Sequence, residues 1–310
     1  MLTLQTEGKS PRTIEYYEGN LQRFVWYAEL VGWPSDAAEL TEWHIREFLV
    51  YVASEGQRWG RSGNGSESSS RRASRHTVWH YFRVLRVFFN WAVRERILKE
   101  PPLTNIRMKP PRPHVVQPYT DKQILAMLAI CDQDYQHGAR FLGSRNRAIV
   151  LMFLDTGLRL SELIGIRLQD IDVDRGLIKV VGKGAKGRVV RVGATAQKAL
   201  WRYMMHRPDS GRPELWLTEE GRPLQRSGVQ VMLKRLKRRA GLGLVEGSVH
   251  KFRHTFSLGF LRQDRNPFNL QYLLGHSTLE MTRRYVSTLG MEDALEAHVK
   301  ASPADLLILK

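Results

Sequence analysis

Two motifs in the second half of the chain place a cation within two residues of a glycine. In TGLRLSEL, Arg159 follows the glycine that ends a predicted helix, so it should lie at an exposed turn. In VVGKGAKGR, Lys183 has glycine on both sides, which lets the backbone approach a phosphate closely. A P-loop fits poorly, because the turn lacks the GxxxxGK[ST] spacing and leads into a strand and not a helix. Either cation alone is also typical of a solvated turn.

Two further motifs add histidine, arginine and tyrosine. In HKFRHTF, His250 and Arg253 are three residues apart and therefore share a helix face. In LLGHSTLEMTRRY, His276 follows a glycine and Tyr285 comes nine residues later. Each of these residues is ordinary when taken singly, and the six positions gain meaning only as an ordered set.

Hydrophobic periodicity predicts mostly helices around these motifs. The second part of the chain should contain helices over residues 121–128, 144–156, 194–206, 227–240, 249–262, 267–273 and 279–285. Short strands over residues 177–181 and 189–192 flank the glycine-rich turn. The pattern therefore predicts a mainly helical domain with a small β-sheet.

The first part of the chain reads as all-helical. Helices are predicted to begin at Ser10, Thr41 and Ser74, each followed by apolar residues at steps of three to four. Residues 100–118 contain six prolines and no helical period, which is typical of an extended linker. We therefore predict a helical domain over residues 1–104, a linker over 105–118 and a second domain over 119–310.

A stretch rich in Ser, Gly and Arg lies between the second and third helices. Its cations are Arg61, Arg71, Arg72 and Arg75. Such a stretch is typical of a solvated linker. A loop that crosses a DNA backbone is the other interpretation, and the basic character of the whole chain favours it.

Composition narrows the function classes. The 310 residues suit two domains, and 48 Lys and Arg against 31 Asp and Glu leave a net charge of +17. That charge favours a polyanionic partner, most simply nucleic acid, over a ribosomal or membrane-surface protein.

The single cysteine, Cys131, excludes an internal disulfide framework and a cysteine-based zinc site, and it suits a reducing cytosol. Neither a secretory signal nor a membrane span is expected.

The four motifs, in order and spacing, resemble those of the tyrosine recombinase family, also called the phage integrase or Xer family. The resemblance covers residues 119–286 well, and the first part is similar, more loosely, to the family's helical core-binding domain. It implies a mainly α fold with a small β-sheet, in which a core-type DNA-binding domain and a mixed α/β catalytic domain form a C-shaped clamp on DNA.

The resemblance also implies how the scissile phosphate is held. Arg159 and Arg253 would bind its nonbridging oxygens, which suits arginine because its planar fork stays charged and forms paired hydrogen bonds. His276 would bond a phosphate oxygen. Glu162 would support the Arg159 turn, and His254 would pack behind the site without reacting.

The remaining roles concern the nucleophile and its protons. Tyr285 would attack phosphorus to form a 3′-phosphotyrosine, His250 would take the tyrosine proton, and Lys183 would protonate the departing 5′ oxygen. Lys186 lies near Lys183, but Lys183 matches the family position. Tyr272 is a second tyrosine that precedes the histidine motif and is typical of helix packing.

Partners follow from the same resemblance. Double-stranded DNA with a specific recombination site is expected, bound by a homotetramer on two sites, with an accessory DNA-bending protein as a candidate partner. Lys186 and Arg188 join the basic loop as expected DNA contacts. The tail over residues 287–310 is expected to exchange between subunits or to fold back on its own chain. No cofactor, metal or membrane is expected, and the location is cytoplasmic and nucleoid-associated.

The resulting function hypothesis is site-specific cutting and rejoining of DNA through a Holliday junction, for integration, excision or resolution of a mobile element or replicon. Three alternatives stay open at this point. A type IB topoisomerase uses similar chemistry without synapsis, a relative without cleavage activity would only bind DNA, and a basic nucleoid protein would form no covalent bond.

Overall fold

The structure is a computed structural model. It describes residues 1–54, 73–111, 116–182, 187–247, 249–287, 290, 293, 295, 298, 299 and 302. The chain divides into two compact units, Met1–His114 and Val115–Lys310. The division falls inside the proline-rich segment over residues 100–118.

The described part of the first unit is helical. Its helices are α1 (Leu2–Thr6), α2 (Pro11–Leu30), α3 (Glu42–Ser54) and α4 (Arg75–Arg94). The side chains of Ser10 and Ser74 accept hydrogen bonds from the backbone N–H groups three residues later, so Ser10 is the N-cap that the sequence predicted and Ser74 caps the helix predicted to begin there. The short α1 was not predicted from the sequence.

Aromatic side chains join three of these helices. Phe24 of α2 lies with its ring centroid 5.1 Å from that of Phe48 on α3 and 6.2 Å from that of Phe89 on α4. Ile45 and Leu85 are buried in the same cluster. The apolar stripes read from the sequence are therefore the faces that meet.

The second unit is also mainly helical. Its helices are α5 (Asp121–Gln136), α6 (Arg140–Thr156), α7 (Leu160–Ile164), α8 (Ala194–Met204), α9 (Arg226–Arg239), α10 (Val249–Asp264), α11 (Pro267–Leu274) and α12 (Leu279–Val286). The mainly helical fold with a small sheet is confirmed.

Three antiparallel strands form that sheet in the order β1 (Ile171–Asp172), β2 (Leu177–Val181) and β3 (Gly187–Arg191). The hairpin of β2 and β3 matches the prediction, although β3 begins two residues earlier because Gly187 pairs with Val181. Residues 183–186, which include Lys183 and Lys186, lie outside the described residues.

Helix α6 runs through the core of the second unit. Its residues Ala148, Ile149, Met152 and Phe153 are fully buried. It ends at Gly157, which has a left-handed φ of 59°, and the chain then turns into α7. This end places the TGLR motif at the turn that the sequence predicted.

Helices α10, α11 and α12 enclose a second, smaller core. Leu258, Leu261, Leu270, Leu274 and Tyr285 are buried there. Helix α11 ends at a left-handed glycine just before the histidine of the LLGH motif. The last two sequence motifs are therefore held on one three-helix group.

Candidate functional site

Arg159 is fixed by the turn that leads into α7. Its backbone N–H donates to Oε2 of Glu162 at 2.8 Å, and its Nη1 donates to Oε1 of the same carboxylate at 2.8 Å. The Glu162 side chain is 2% exposed, whereas that of Arg159 is 27% exposed. The buried Glu162 carboxylate thus holds the partly accessible guanidinium of Arg159 in place.

Arg253 lies deeper than Arg159 and binds backbone carbonyls. Its Nη1 donates to the oxygen of Gly157 at 2.7 Å, and its Nη2 donates to the oxygen of Leu274 at 2.9 Å. The Leu274 oxygen also accepts from Nη1 of Arg159 at 3.5 Å. Burial, followed by the charge of Arg159, lowers the pKa of Arg253 to about 10, so Arg253 stays charged at neutral pH.

His250 and His254 lie one turn apart on α10. Burial lowers the pKa of both imidazoles. The charges of Arg253 and Arg159 add to the effect at His250, whereas Arg284 is the largest charge acting on His254. A neutral imidazole beside two arginines is suited to accept a proton.

His276 and Tyr285 form the other side of the site. His276 Nδ1 lies 2.8 Å from Oγ1 of Thr282, and burial, then the Arg253 charge, lowers its pKa to about 4. The rings of His276 and Tyr285 are parallel, with centroids 6.2 Å apart. His254 meets the Tyr285 ring edge-on at 5.2 Å, so the tyrosine ring packs near both histidines.

Five of the six motif residues therefore belong to one cationic site: Arg159, His250, Arg253, His276 and Tyr285. The charges of Arg159 and Arg253 act on both His250 and His276, and the ring of Tyr285 lies parallel to that of His276. This arrangement can bind an anion with two guanidinium groups next to a phenol. Lys183, the sixth residue, lies outside the described residues.

The expected DNA contacts fall in different places. Arg61, Arg71, Arg72 and Lys186 lie outside the described residues. Arg75 is exposed and opens α4. Arg188 points inward: its side chain is 10% exposed and pairs with Glu162. A DNA contact was expected there, and the structure places an internal ion pair instead, because Arg188 shares a strand face with the buried Val190.

Sequence reasoning overlooked two features. Thr282 is completely buried and bonded to His276; its position six residues after the histidine carries no strong signal. Helix α9 borders a groove of about 790 Å³ whose walls include Tyr119, Lys234, Arg235 and Arg238. The run KRLKRR in its sequence was the signal for this basic surface.

Neither a metal site nor a membrane span is found in the part of the chain that the structure describes. No three His, Cys, Asp or Glu residues there are grouped as metal ligands. None of the helices there has the combined length and hydropathy that crossing a bilayer requires.

Comparisons with known proteins agree on one family. The model of the phage integrase family matches residues 118–290. The tyrosine recombinase XerC of Oceanobacillus iheyensis is 29% identical over 305 residues, which cover 95% of this chain and 91% of that protein. XerC of Xanthomonas campestris pv. campestris is 30% identical over 281 residues, which cover 89% of this chain and 78% of that protein.

A solved structure shows the same fold. The crystal structure of the XerH site-specific recombinase bound to a palindromic difH substrate superposes with a TM-score of 0.72. The two sequences are 19% identical, and the match covers 96% of this chain and 82% of XerH.

Proposed function

Because this chain belongs to the phage integrase family, as a tyrosine recombinase that cleaves and rejoins DNA strands, we propose that Tyr285 is its nucleophile. The observation that supports this role is that the buried Tyr285 ring packs next to the imidazoles of His254 and His276. Tyr272 is 75% exposed and belongs to no such group. The phenol that reacts should therefore be Tyr285.

Cleavage begins when the Tyr285 oxygen attacks the scissile phosphorus. The P–O5′ bond breaks, which leaves a 3′-phosphotyrosine and a free 5′ hydroxyl. Arg159 and Arg253 hold the nonbridging oxygens, and their charges stabilise the transition state because they are fixed beforehand by Glu162, Gly157 and Leu274. His276 adds a bond to a phosphate oxygen.

Two protons move in this step. His250 takes the phenol proton, a role that its lowered pKa supports because the imidazole starts out neutral. Lys183 gives a proton to the departing 5′ oxygen, since an alkoxide is a poor leaving group. Rejoining is the reverse: a 5′ hydroxyl attacks phosphorus and the Tyr285 oxygen leaves, so the bond energy is conserved without ATP.

The broader function is site-specific recombination, and we extend it to strand exchange through a Holliday junction by a homotetramer on two sites. The proposed domains are a DNA-binding domain over residues 1–104, a linker over 105–118 and a catalytic domain over 119–310. Exposed cations at Arg75 and on α9 supply phosphate contacts with salt-sensitive affinity. Because the substrate is DNA, we place the protein in the cytoplasm, associated with the nucleoid.

Assembly can be tested through the tail after Tyr285. Truncation at Gly290 should leave DNA binding by single subunits intact and reduce tetramers on DNA, measured by mass photometry on two-site fragments. Unchanged tetramers would exclude an exchanged tail. Adding a DNA-bending protein to the intact chain tests whether an accessory factor raises recombination.

Covalent capture tests the nucleophile. The protein is incubated with DNA that flanks its own gene, quenched in detergent, and the DNA attached to protein is sequenced. We expect adducts at one short site, loss of adducts with Tyr285→Phe, and no loss with the control Tyr272→Phe. Adducts that persist in Tyr285→Phe would refute the assignment, and adducts scattered over the DNA would favour a topoisomerase instead.

A further inference from the structure

Arg188 of β3 makes a dense set of internal hydrogen bonds. Its Nη1 and Nη2 donate to the two oxygens of Glu162 at 2.9 and 3.0 Å. Its Nε donates to the oxygen of Leu273 at 2.9 Å. All three guanidinium nitrogens therefore donate inside the protein, and the Arg188 side chain is only 10% exposed to a DNA phosphate.

The Glu162 carboxylate is shared between two arginines. Oε1 accepts from Nη1 of Arg159 and Nη1 of Arg188, while Oε2 accepts from the Arg159 backbone and from Nη2 of Arg188. Burial opposes ionisation of Glu162, but the bonds from Arg188 and Arg159 outweigh it and hold its pKa at about 2. Without Arg188, the full carboxylate charge would act on the Arg159 guanidinium.

Arg188 also reaches the end of α11. The Leu273 oxygen that it binds is next to the Leu274 oxygen, which binds Arg253. A Cβ added to Gly275 would lie 3.1 Å from Cδ of Arg188, so the arginine packs directly against the residue before His276. One side chain thus connects the Arg159 turn to the segment that carries the histidine.

We propose that Arg188 is a positioning residue of the recombination reaction, which holds Glu162 and the end of α11 so that Arg159 and His276 face one phosphate. This inference rests on the proposed function of those two residues. Arg188 neutralises the Glu162 charge, so the charge of Arg159 remains available to the substrate. It also fixes the spacing between the arginine turn and the histidine.

The first test replaces Arg188 with methionine, a side chain of similar length without charge. The probe is a nicked DNA duplex that carries the cleavage site mapped by covalent capture. We expect Arg188→Met to slow single-turnover adduct formation about 10²-fold, as for a displaced catalytic group, while DNA affinity changes about twofold or less. Arg191→Met is the matched control, because Arg191 is an exposed arginine on the same strand; its rate should match wild type.

Second substitutions show whether Arg188 acts through Glu162 and Arg159. Glu162→Gln added to Arg188→Met should recover a large part of the lost rate, because it removes the buried negative charge that would otherwise act on Arg159 alone. In an Arg159→Ala background, Arg188→Met should cost much less than in wild type. A loss of the same size in both backgrounds, with no recovery by Glu162→Gln, would overturn the proposal.

A direct DNA contact and a folding defect are each distinguishable from a positioning role. If Arg188 contacted DNA, Arg188→Met would weaken binding and reduce the salt slope of affinity by about 1, which would refute the positioning role.

If circular dichroism shows that Arg188→Met does not fold, Arg188→Lys serves instead. Lysine keeps the charge but has one nitrogen, so its rate should lie between those of methionine and wild type, and a wild-type rate would contradict the proposal.

The same experiments distinguish an error in the proposed function from an error in the role of Arg188. Adducts that survive Tyr285→Phe would overturn the nucleophile and this inference together. Wild-type adducts that Tyr285→Phe abolishes, combined with an Arg188→Met rate equal to that of Arg191→Met, would overturn only the role of Arg188.

Discussion

The imidazole of His276 and the phenol of Tyr285 lie parallel, at an interplanar angle of 5° with ring centroids 6.2 Å apart. Thr282 belongs to the same helix as Tyr285, three residues earlier, and its Oγ1 lies 2.8 Å from Nδ1 of His276. The packing of α12 therefore determines both the position of the Tyr285 phenol and the orientation of the His276 imidazole.

Thr282→Val should damage this arrangement without changing side-chain shape. It removes the hydroxyl next to His276 Nδ1, and a buried polar atom that loses its partner costs about 1–3 kcal/mol of unfolding free energy. Adduct formation should fall roughly tenfold, as when an orienting partner of a functional histidine is lost. Thr282→Ser keeps the hydroxyl and should stay near wild type in urea unfolding and cleavage assays. Equal rates for the two variants would count against this link.

The stability of the protein should decrease on mild acidification because of His276. Its pKa is about 4 in the folded protein, against 6.5 for an ordinary histidine, so between these values the unfolded chain binds more protons. Above pH 6.5 the imidazole is neutral in both states, and the stability is at its full value. As the pH falls towards 4, the unfolded chain takes up the proton first, which lowers the free energy of unfolding by up to about 3 kcal/mol. His250 and His254 act in the same direction.

Urea unfolding between pH 7 and 4 measures this effect. His276→Gln should flatten the dependence of unfolding free energy on pH, whereas His137→Gln, at an exposed position after α5, should leave it unchanged. An unaltered slope in His276→Gln would mean that the imidazole titrates normally in the folded state.

Lys183→Met should slow cleavage by about 10²–10⁴-fold if the lysine is the general acid. DNA with sulfur in place of the bridging 5′ oxygen should restore the rate, because a thiol has a pKa near 8.5 and its thiolate leaves without a proton. Lys186→Met should need no such rescue. A Lys183→Met enzyme that stays slow on the sulfur substrate would show that the lysine serves another purpose.

Gly157→Ala should destabilise the second unit. The residue has a φ of +59°, and an added Cβ would lie 2.4 Å from Cδ1 of Phe256, so strain and overlap together should cost about 2–4 kcal/mol. Its carbonyl binds Arg253, so adduct formation should also slow. Gly259→Ala, at an exposed and unobstructed position of α10, should instead stabilise by about 0.5–1 kcal/mol. Thermal unfolding and capture rates of the two variants measure the contrast.

Local features of this protein were readable from the sequence alone. The helix starts at Ser10 and Ser74 could be predicted because a capping side chain reaches only three residues. The hairpin of β2 and β3 could be predicted because two alternating runs flank a glycine-rich turn. The motif order also indicated the family, because six positions in the family's order are hard to obtain by chance.

Only the tertiary structure decided which charges meet. Arg188 was expected at the DNA, because a sequence shows the charge of a side chain but not the partner across the fold. Glu162, 26 residues away, takes up that charge, and the Gly157 carbonyl that holds Arg253 lies 96 residues from it. Such contacts depend on how α6, α7, β3, α10 and α11 pack together. Hydrogen bonds are directional and act over about 3 Å, so the pairing is determined only when the packing is complete.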